Sequence, residues 1–380
     1  MGQGMKSTQQ AQGKKPQTLV GPAIVTYSPA YTVVPTYECF NRCTYCNFRR
    51  DPGADRWLGL DSAAILLRSL TPDVTDVYNS AVSTAGAIAP QQRSTTDWGD
   101  RLIQTPIEIL ILSGEVHPHS PRRSAWFHRI ASLCRLALLS GLLPHTNVGP
   151  LDRAEMEQLG RLNVSMGLML EQLSPRLQQT VHRHAPSKDP EQRLAQLQQA
   201  GELRIPFTTG LLIGIGETEA DRVETLQAIA QLQRRYGHIQ EVIIQPHSPG
   251  SQQDWAGEPC TIDTLIDVVA IARDLLPESV AIQVPPNLLN RPESIQRAIA
   301  LGASDLGGIC PLDHVNPDYD HPGLGQLADW VAAAGGRLQP RLPIYPAFDD
   351  WLVEPVRSLV QQWRNHLQQP DRCPPPTAQP

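Results

Sequence analysis

The 380-residue sequence has no apolar run long enough to cross a bilayer, which excludes an α-helical membrane span. It has no excess of positive charge. Its 32 Lys and Arg stand against 38 Asp and Glu, a net charge of −6, so no general nucleic-acid footprint is expected. It has no regular cysteine framework. Seven cysteines, an odd number without even spacing, argue against a secreted disulfide scaffold and for a reducing, cytoplasmic setting. Residues 1–18 lack the apolar core of a secretory leader; polar and rich in Gln, Lys and Gly, they are expected to form a disordered tail. The Pro-rich residues 371–380 are expected to be loose as well. No internal repeat is visible beyond an alternation of β-rich and helical segments.

What the chain does have is Cys39-Phe-Asn-Arg-Cys43-Thr-Tyr-Cys46, following a strand-like run. Three thiolates spaced C-x3-C-x2-C on one loop can ligate three irons of a [4Fe–4S] cube and leave the fourth iron open to a small chelating molecule. A structural zinc site would want four tetrahedral ligands in a closed shell. No fourth cysteine or histidine lies close by, and Cys134, Cys260, Cys310 and Cys373 stand far off and singly. A zinc-stabilised binding protein remains the non-catalytic alternative, and a barrel hydrolase with incidental cysteines a second one. The spacing resembles the signature of the radical S-adenosylmethionine (SAM) superfamily. That resemblance implies that the amino and carboxylate groups of SAM occupy the open iron, and that an injected electron releases a 5′-deoxyadenosyl radical.

The alternation predicts the fold. Short β-rich runs at 31–35, 107–112, 143–148, 164–170, 207–213, 241–245, 280–284 and 305–309 are separated by helix candidates at 61–70, 121–140, 152–161, 190–201, 217–235, 262–276 and 292–301, with another at 322–334. Asp189-Pro190 and Ser120-Pro121 read as an N-cap followed by proline at the first helical position. Gly201 and Gly302 read as helix stops. Eight β-then-α units predict parallel strands with right-handed crossovers, hence an α/β, TIM-like (β/α)8 barrel over residues 19–346, with an open doubly wound sheet as the fallback. Residues 71–105 form an irregular insertion, and 347–370 an amphipathic C-terminal helix whose Trp351, Leu352, Val356, Leu359, Val360 and Trp363 should pack on the barrel.

In such a barrel the site lies at the C-terminal ends of the strands. The second strand ends in Ser113-Gly114-Glu115, resembling the Gly-Gly-Glu of radical SAM families, whose backbone and carboxylate bind the SAM ammonium. The fourth ends at Glu171, which could accept hydrogen bonds from a ribose diol or the SAM amino group, and Arg193 on the next helix could pair with the SAM carboxylate. The fifth runs into Gly210-Leu-Leu-Ile-Gly214-Ile-Gly216-Glu217, similar to the superfamily's G-x-I-x-G-x-x-E pattern, with glycines that would let backbone lie flat against adenine. The remaining ends offer Gln245, Gln283, Asn287 and Asp305 to a polyhydroxylated or pyrimidine-like substrate, and His182, His184 and His247 as acid–base candidates against a default of ordinary surface histidines.

From about residue 20 to 345 these blocks resemble one radical SAM family, the CofG subunits of deazariboflavin synthase. The specific marks are Cys39-Phe-Asn-Arg-Cys-Thr-Tyr-Cys-Asn-Phe-Arg49, Ser165-Met-Gly-Leu-Met-Leu-Glu171, the run from Ala200 to Glu217, Tyr236-Gly-His-Ile-Gln-Glu-Val-Ile-Ile-Gln245, Gln283-Val-Pro-Pro-Asn-Leu288 and Asp305-Leu-Gly-Gly308. Residues 246–250 and 71–105 depart from the family's usual pattern. The resemblance implies a [4Fe–4S] cluster and SAM as cofactors, and a ring-forming, ammonia-releasing lyase reaction on a 4-hydroxybenzyl unit joined to ribitylaminouracil. It further implies a CofH-like partner enzyme that supplies this precursor, and a low-potential donor such as ferredoxin or flavodoxin. A CofH-like or biotin-synthase-like enzyme is the alternative within the superfamily. Replacing one thiol separates these readings from a hydrolase: Cys43→Ala should abolish activity and lower the iron and sulfide content after anaerobic reconstitution, because two thiolates do not hold a cube securely.

Overall fold

Eight short aliphatic and β-branched runs become parallel strands: β1 (Ala23–Val33), β2 (Glu108–Leu112), β3 (Leu143–Asn147), β4 (Ser165–Gly167), β5 (Phe207–Ile213), β6 (Ile239–Pro246), β7 (Ala281–Gln283) and β8 (Asp305–Ile309). The computed structural model describes residues 23–70, 105–255, 257–289 and 291–368. The expected tails at 1–18 and 371–380, and the expected insertion up to residue 104, lie outside the described residues. Each strand pairs with the next, and β1 pairs with both β8 (Pro29↔Ile309) and β2 (Tyr31↔Ile109), so the sheet closes into a barrel. The expected (β/α)8 architecture is the observed one, and the open sheet is excluded by this closure.

A ninth strand, β9 (Gly336–Pro340), was not expected. It pairs with residues 23–27 of β1, on the edge that β2 takes up from residue 30 onward. Its sequence, Gly-Arg-Leu-Gln-Pro, has neither alternation nor β-branched residues, so nothing local marks it; the pairing is supplied by the free lower edge of β1. The same handover explains why β1 starts earlier than expected. Pro29 argues against a strand in sequence, yet it sits at the changeover from β9 to β2.

The helices return the chain between strands. Asp152 makes a capping box with Glu155, and Asp189 accepts from the Glu191 backbone ahead of Pro190. Two expected boundaries differ. Ser120 accepts from Arg122 N at 3.2 Å in a preceding turn, and the helix Arg123–Leu139 begins after it. Gly201 lies inside the helix Pro190–Glu202, where a Cβ would come within 2.6 Å of Tyr236; it is glycine for packing, not for termination. Gly302, at φ +111°, does end its helix.

The expected C-terminal helix is split. A 3-10 turn, Pro346–Trp351, precedes the helix Val356–Gln368, with Pro355 between them. Phe348, Leu352, Val356, Val360 and Trp363 pack against Ile107, Leu143 and Val164 at the starts of β2, β3 and β4. This segment closes the N-terminal end of the barrel.

That closed end also buries charge. Arg341, just after β9, donates from Nη2 to Glu241 Oε1 and to Asp305 Oδ1, both at 2.8 Å, and Tyr345 donates to Asp305 at 3.1 Å. One guanidinium serves two carboxylates. Burial raises Glu241 well above the ordinary carboxylate range despite Arg341, whereas Arg341 more than offsets burial at Asp305 and holds it low. Removing the cation strands buried carboxylates, so Arg341→Leu should cost about 3–5 kcal/mol in denaturant-induced unfolding.

Candidate active site

A cavity of about 370 Å³ opens under the loops at the opposite, C-terminal end and runs down the barrel as far as Glu241 and Arg341. The cysteine loop lies above β1 and is fixed mainly by its backbone. Phe40 N donates to Glu115 O at 3.0 Å, Thr44 N to Val181 O at 3.1 Å, and Cys39 N to Arg50 O at 3.1 Å. Beneath it the buried Glu38 carboxylate accepts from Gly53 N at 2.8 Å and Trp57 Nε1 at 3.1 Å and pairs with Arg122 at 2.7 Å. Gly114 is required by this packing: a Cβ there would sit 2.1 Å from Glu38 O.

Cys39, Cys43 and Cys46 are free thiols that all line the cavity. Burial pushes Cys39 up to about 11 and Cys43 up to about 12; the neighbouring thiols add to this, and Lys188 opposes it at Cys43. Among the described residues no three His, Cys, Asp or Glu side chains gather around a point that one metal ion could take. A lone zinc ion needs such convergence, whereas a cube takes its three thiolates on three different irons. The donor set therefore fits the cluster better than the zinc alternative.

The Glu115 side chain joins three elements. Its Oε2 accepts from Asn41 Nδ2 at 2.9 Å and from Ser187 Oγ, and its Oε1 lies 3.3 Å from Arg193 Nη2. Arg193, 2% exposed, also donates from Nε to Ser187 O at 2.9 Å. Arg193 lines the cavity and, through these bonds, orients Glu115. Ser113 lines it too, and its hydroxyl accepts from Trp126 Nε1 at 2.9 Å.

Glu171 occupies a left-handed backbone position, φ 66°, and its carboxylate pairs with Lys188. Burial alone would raise its carboxyl; Lys188 and Arg193 more than offset that and hold it below the usual range. Burial and Arg193 work against the Lys188 charge, and Glu171, Cys43 and Glu115 together outweigh them, so the ammonium is retained. Lys188 lines the cavity, and sequence reasoning passed over it. The only signal was its place immediately before the Asp189 cap, at the close of a strand-end loop. Tyr45 was also missed as a side chain with a role: it lines the cavity and its hydroxyl meets His182 Nε2 at 2.9 Å. His182 is buried rather than at the surface, and burial, with Lys188, depresses it to about 3.

Gly214 and Gly216 have φ of +95° and +106° but are not among the residues lining the cavity. Glu217 folds back beside them, accepting from Gly214 N at 2.8 Å and Ile215 N at 2.9 Å. Gln245, Gln283 and Asn287 do line the cavity. Asp305 does not: it opens β8 instead of closing it, is fully buried, and its carboxylate is occupied by Arg341, Tyr345 and Thr26. The expectation failed because it counts Asp305 among the strand ends although the run 305–309 begins with it. His247 faces the cavity and is buried, whereas His184 contributes its backbone carbonyl to Arg42 N at 2.7 Å.

Comparison with known proteins gives relatives along nearly the whole chain. A 7,8-didemethyl-8-hydroxy-5-deazariboflavin synthase of Synechococcus elongatus is 57% identical over 350 residues, 92% of this chain and 95% of that protein. The synthase of the same name from Thermosynechococcus vestitus is 55% identical over 343 residues, 90% of this chain and 99% of its own. That of Gloeobacter violaceus is 52% identical over 343 residues, 90% of this chain and 97% of its own. No family model matches the chain. Among solved structures, the [FeFe]-hydrogenase maturase HydG superposes with a TM-score of 0.61 at 12% identity, covering 83% of this chain and 64% of that one. Methylornithine synthase (PylB) gives a TM-score of 0.57 at 12% identity, covering 84% of each chain. At these identities the two structures speak for the fold alone.

The cavity wall also predicts acid sensitivity. His145 lines it with Nδ1 2.6 Å from Ser165 Oγ, and burial, then Arg341, depress the imidazole from 6.5 to about 3. Between those values the unfolded chain binds the extra proton, so this contribution is complete above pH 6.5 and fades as pH falls towards 3. Denaturant titrations at stepped pH should show His145→Gln losing less stability on acidification than the parent, by up to about 1.4 kcal/mol per pH unit.

Proposed function

The chain belongs to the 7,8-didemethyl-8-hydroxy-5-deazariboflavin synthase family of radical SAM enzymes, which act in deazaflavin cofactor biosynthesis, and from that premise we propose the reaction and the roles of its residues. The substrate is 5-amino-5-(4-hydroxybenzyl)-6-(D-ribitylimino)uracil, and the conversion closes it into the deazaflavin ring system with loss of ammonia. One observation carries this reading: the thiol triad, the Glu115 and Glu171 carboxylates and the Gln245, Gln283 and Asn287 amides, drawn from different strand ends, line the same cavity.

Cys39, Cys43 and Cys46 would hold a [4Fe–4S] cluster. When bound, the cluster and SAM supply the electron and the radical that takes one hydrogen from the substrate. The chain's own part is placement and exclusion of water. Gly114 brings the backbone of the second strand end close under the cysteine loop, and Glu115, oriented by Asn41, Ser187 and Arg193, receives the SAM amino group. Glu171 and Lys188 form a neutralised pair able to hold the ribose diol and the SAM carboxylate. Tyr45 is kept protonated, chiefly by burial, and covers the triad from the side of His182. The barrel wall around these groups keeps a reactive centre away from bulk water.

Joining the two halves of the substrate is then the work of a CofH-like partner enzyme, and electrons come from a low-potential ferredoxin or flavodoxin. A cytoplasmic location agrees with reduced thiols. Among the described residues no helix is long and apolar enough to cross a membrane.

The test is anaerobic incubation of reconstituted protein with SAM, reductant and the joined precursor. The expected result is 5′-deoxyadenosine together with the fluorescent deazaflavin. Tyrosine plus ribitylaminouracil in place of the joined precursor should give no fluorescence. Formation of the joined, non-fluorescent precursor from the separate halves would favour the CofH-like alternative, and no deazaflavin from the joined precursor would overturn the reading.

A further inference from the structure

Four cavity-lining residues carry a buried polar atom without a partner: Arg49 (Nε) and His321 (Nδ1), whose side chains are half-buried, and His247 (Nδ1) and Asn287 (Oδ1). His247 and Asn287 are only 4% and 1% exposed, which sets this pair apart. Buried polar atoms are nearly always hydrogen-bonded, so an unanswered pair in a cavity wall indicates a ligand that answers it. Strands β6 and β7 pair with Ile243 opposite Gln283; His247 directly follows β6, and Asn287 lies in the short helix Pro286–Leu289 that follows β7.

The hydrogen-bonding sense of each atom is set by the other half of its side chain. Asn287 donates from Nδ2 to Asp313 Oδ2 at 2.9 Å and to Tyr319 O at 3.3 Å. Turning the amide round would set its oxygen against two acceptors, so Oδ1 remains the free acceptor. At His247 the neighbour is Gln253. Its amide is satisfied with the NH2 group donating to Tyr45 O at 2.8 Å and to His247 Nε2 at 3.0 Å, while its oxygen accepts from Gly250 N. An imidazole nitrogen that accepts carries no proton, so in the neutral ring the proton is on Nδ1. The histidine is held from both sides through its backbone, donating to Ile213 O at 2.7 Å and accepting from Cys260 N at 3.2 Å.

One fixed donor and one fixed acceptor in the wall of the same cavity complement an imide, whose N–H and carbonyl answer one each. We propose that His247 and Asn287 are the specificity-determining pair for the pyrimidinedione ring of the substrate, Asn287 Oδ1 accepting from the ring N3–H and His247 Nδ1–H donating to an adjacent ring carbonyl. This rests on the substrate proposed above. The groups assigned to the cluster and SAM come from the ends of β1, β2 and β4, which leaves the β6–β7 side for the substrate. Residues 246–250, where the sequence departs from the family's usual pattern, therefore carry one half of the recognition and, through Gly250, the contact that fixes its tautomer.

The test is made on the ligand as well as the protein. Anaerobically reconstituted enzyme with SAM bound is titrated calorimetrically with 6-(D-ribitylamino)pyrimidine-2,4-dione and with its N3-methyl derivative, which lacks the N–H and keeps both carbonyls. The parent enzyme should bind the methylated ligand at least about tenfold more weakly. Asn287→Leu should weaken the unmethylated ligand and abolish the preference. His247→Leu should weaken both ligands, and His247→Asn, whose amide can donate from near the Nδ1 position, should recover part of the loss. SAM affinity should be the same in all of them. Equal binding of the two ligands by the parent enzyme overturns the proposal with no variant needed. So does a preference that survives in Asn287→Leu, or a loss of SAM affinity in place of pyrimidinedione affinity. Deazaflavin formed from the joined precursor without any N3-methyl discrimination rejects this pair alone. Discrimination without product rejects the proposed reaction and leaves the pair standing.

Discussion

The mouth of the barrel depends on one partly buried carboxylate, that of Glu115. It is bound at once by the cysteine loop through Asn41, by the short segment before the helix Pro190–Glu202 through Ser187, and by that helix through Arg193. A buried carboxylate without such partners would be costly. The same contacts that satisfy it fix the spacing between the thiol loop and the wall opposite. Gly114 permits the approach from below, and the Phe40 N–H to Glu115 carbonyl bond repeats it on the backbone. Positioning of the thiols and satisfaction of the charge are thus one set of interactions.

The two ends of the barrel solve a similar electrostatic problem differently. At the closed end Arg341 serves two carboxylates, so one of them, Glu241, is driven towards its protonated form. At the open end each carboxylate has its own cation: Arg193 for Glu115 and Lys188 for Glu171. Both arrangements face the one cavity, the first deep in the barrel and the second under the loops. The Asn287 and His247 side chains extend the contrast, since each has one half fixed by protein while the other half is left without a partner.

Reading the chain by its local patterns succeeded where a residue's role is set by its neighbours in sequence. The cap at Asp189 and the period of the strand runs are of this kind. It failed where the role is set by contacts far along the chain. Strand β9 exists because β1 has a free lower edge. Gly201 is glycine because Tyr236 lies against it. Asp305 stands in a motif-like block, yet it opens its strand and faces Arg341 at the closed end. Lys188 and Tyr45 bear no local mark beyond polarity and a place next to a motif, and only the meeting of two loops makes them cavity groups.

What the sequence by itself determined is the repeating βα unit and the three-thiol loop, because hydrophobic period and ligand spacing are properties of adjacent residues. What only the tertiary structure decided is which charges answer one another and which polar atoms stay unanswered. Those depend on how strand ends distant in sequence converge around one cavity, and convergence is a property of the closed sheet.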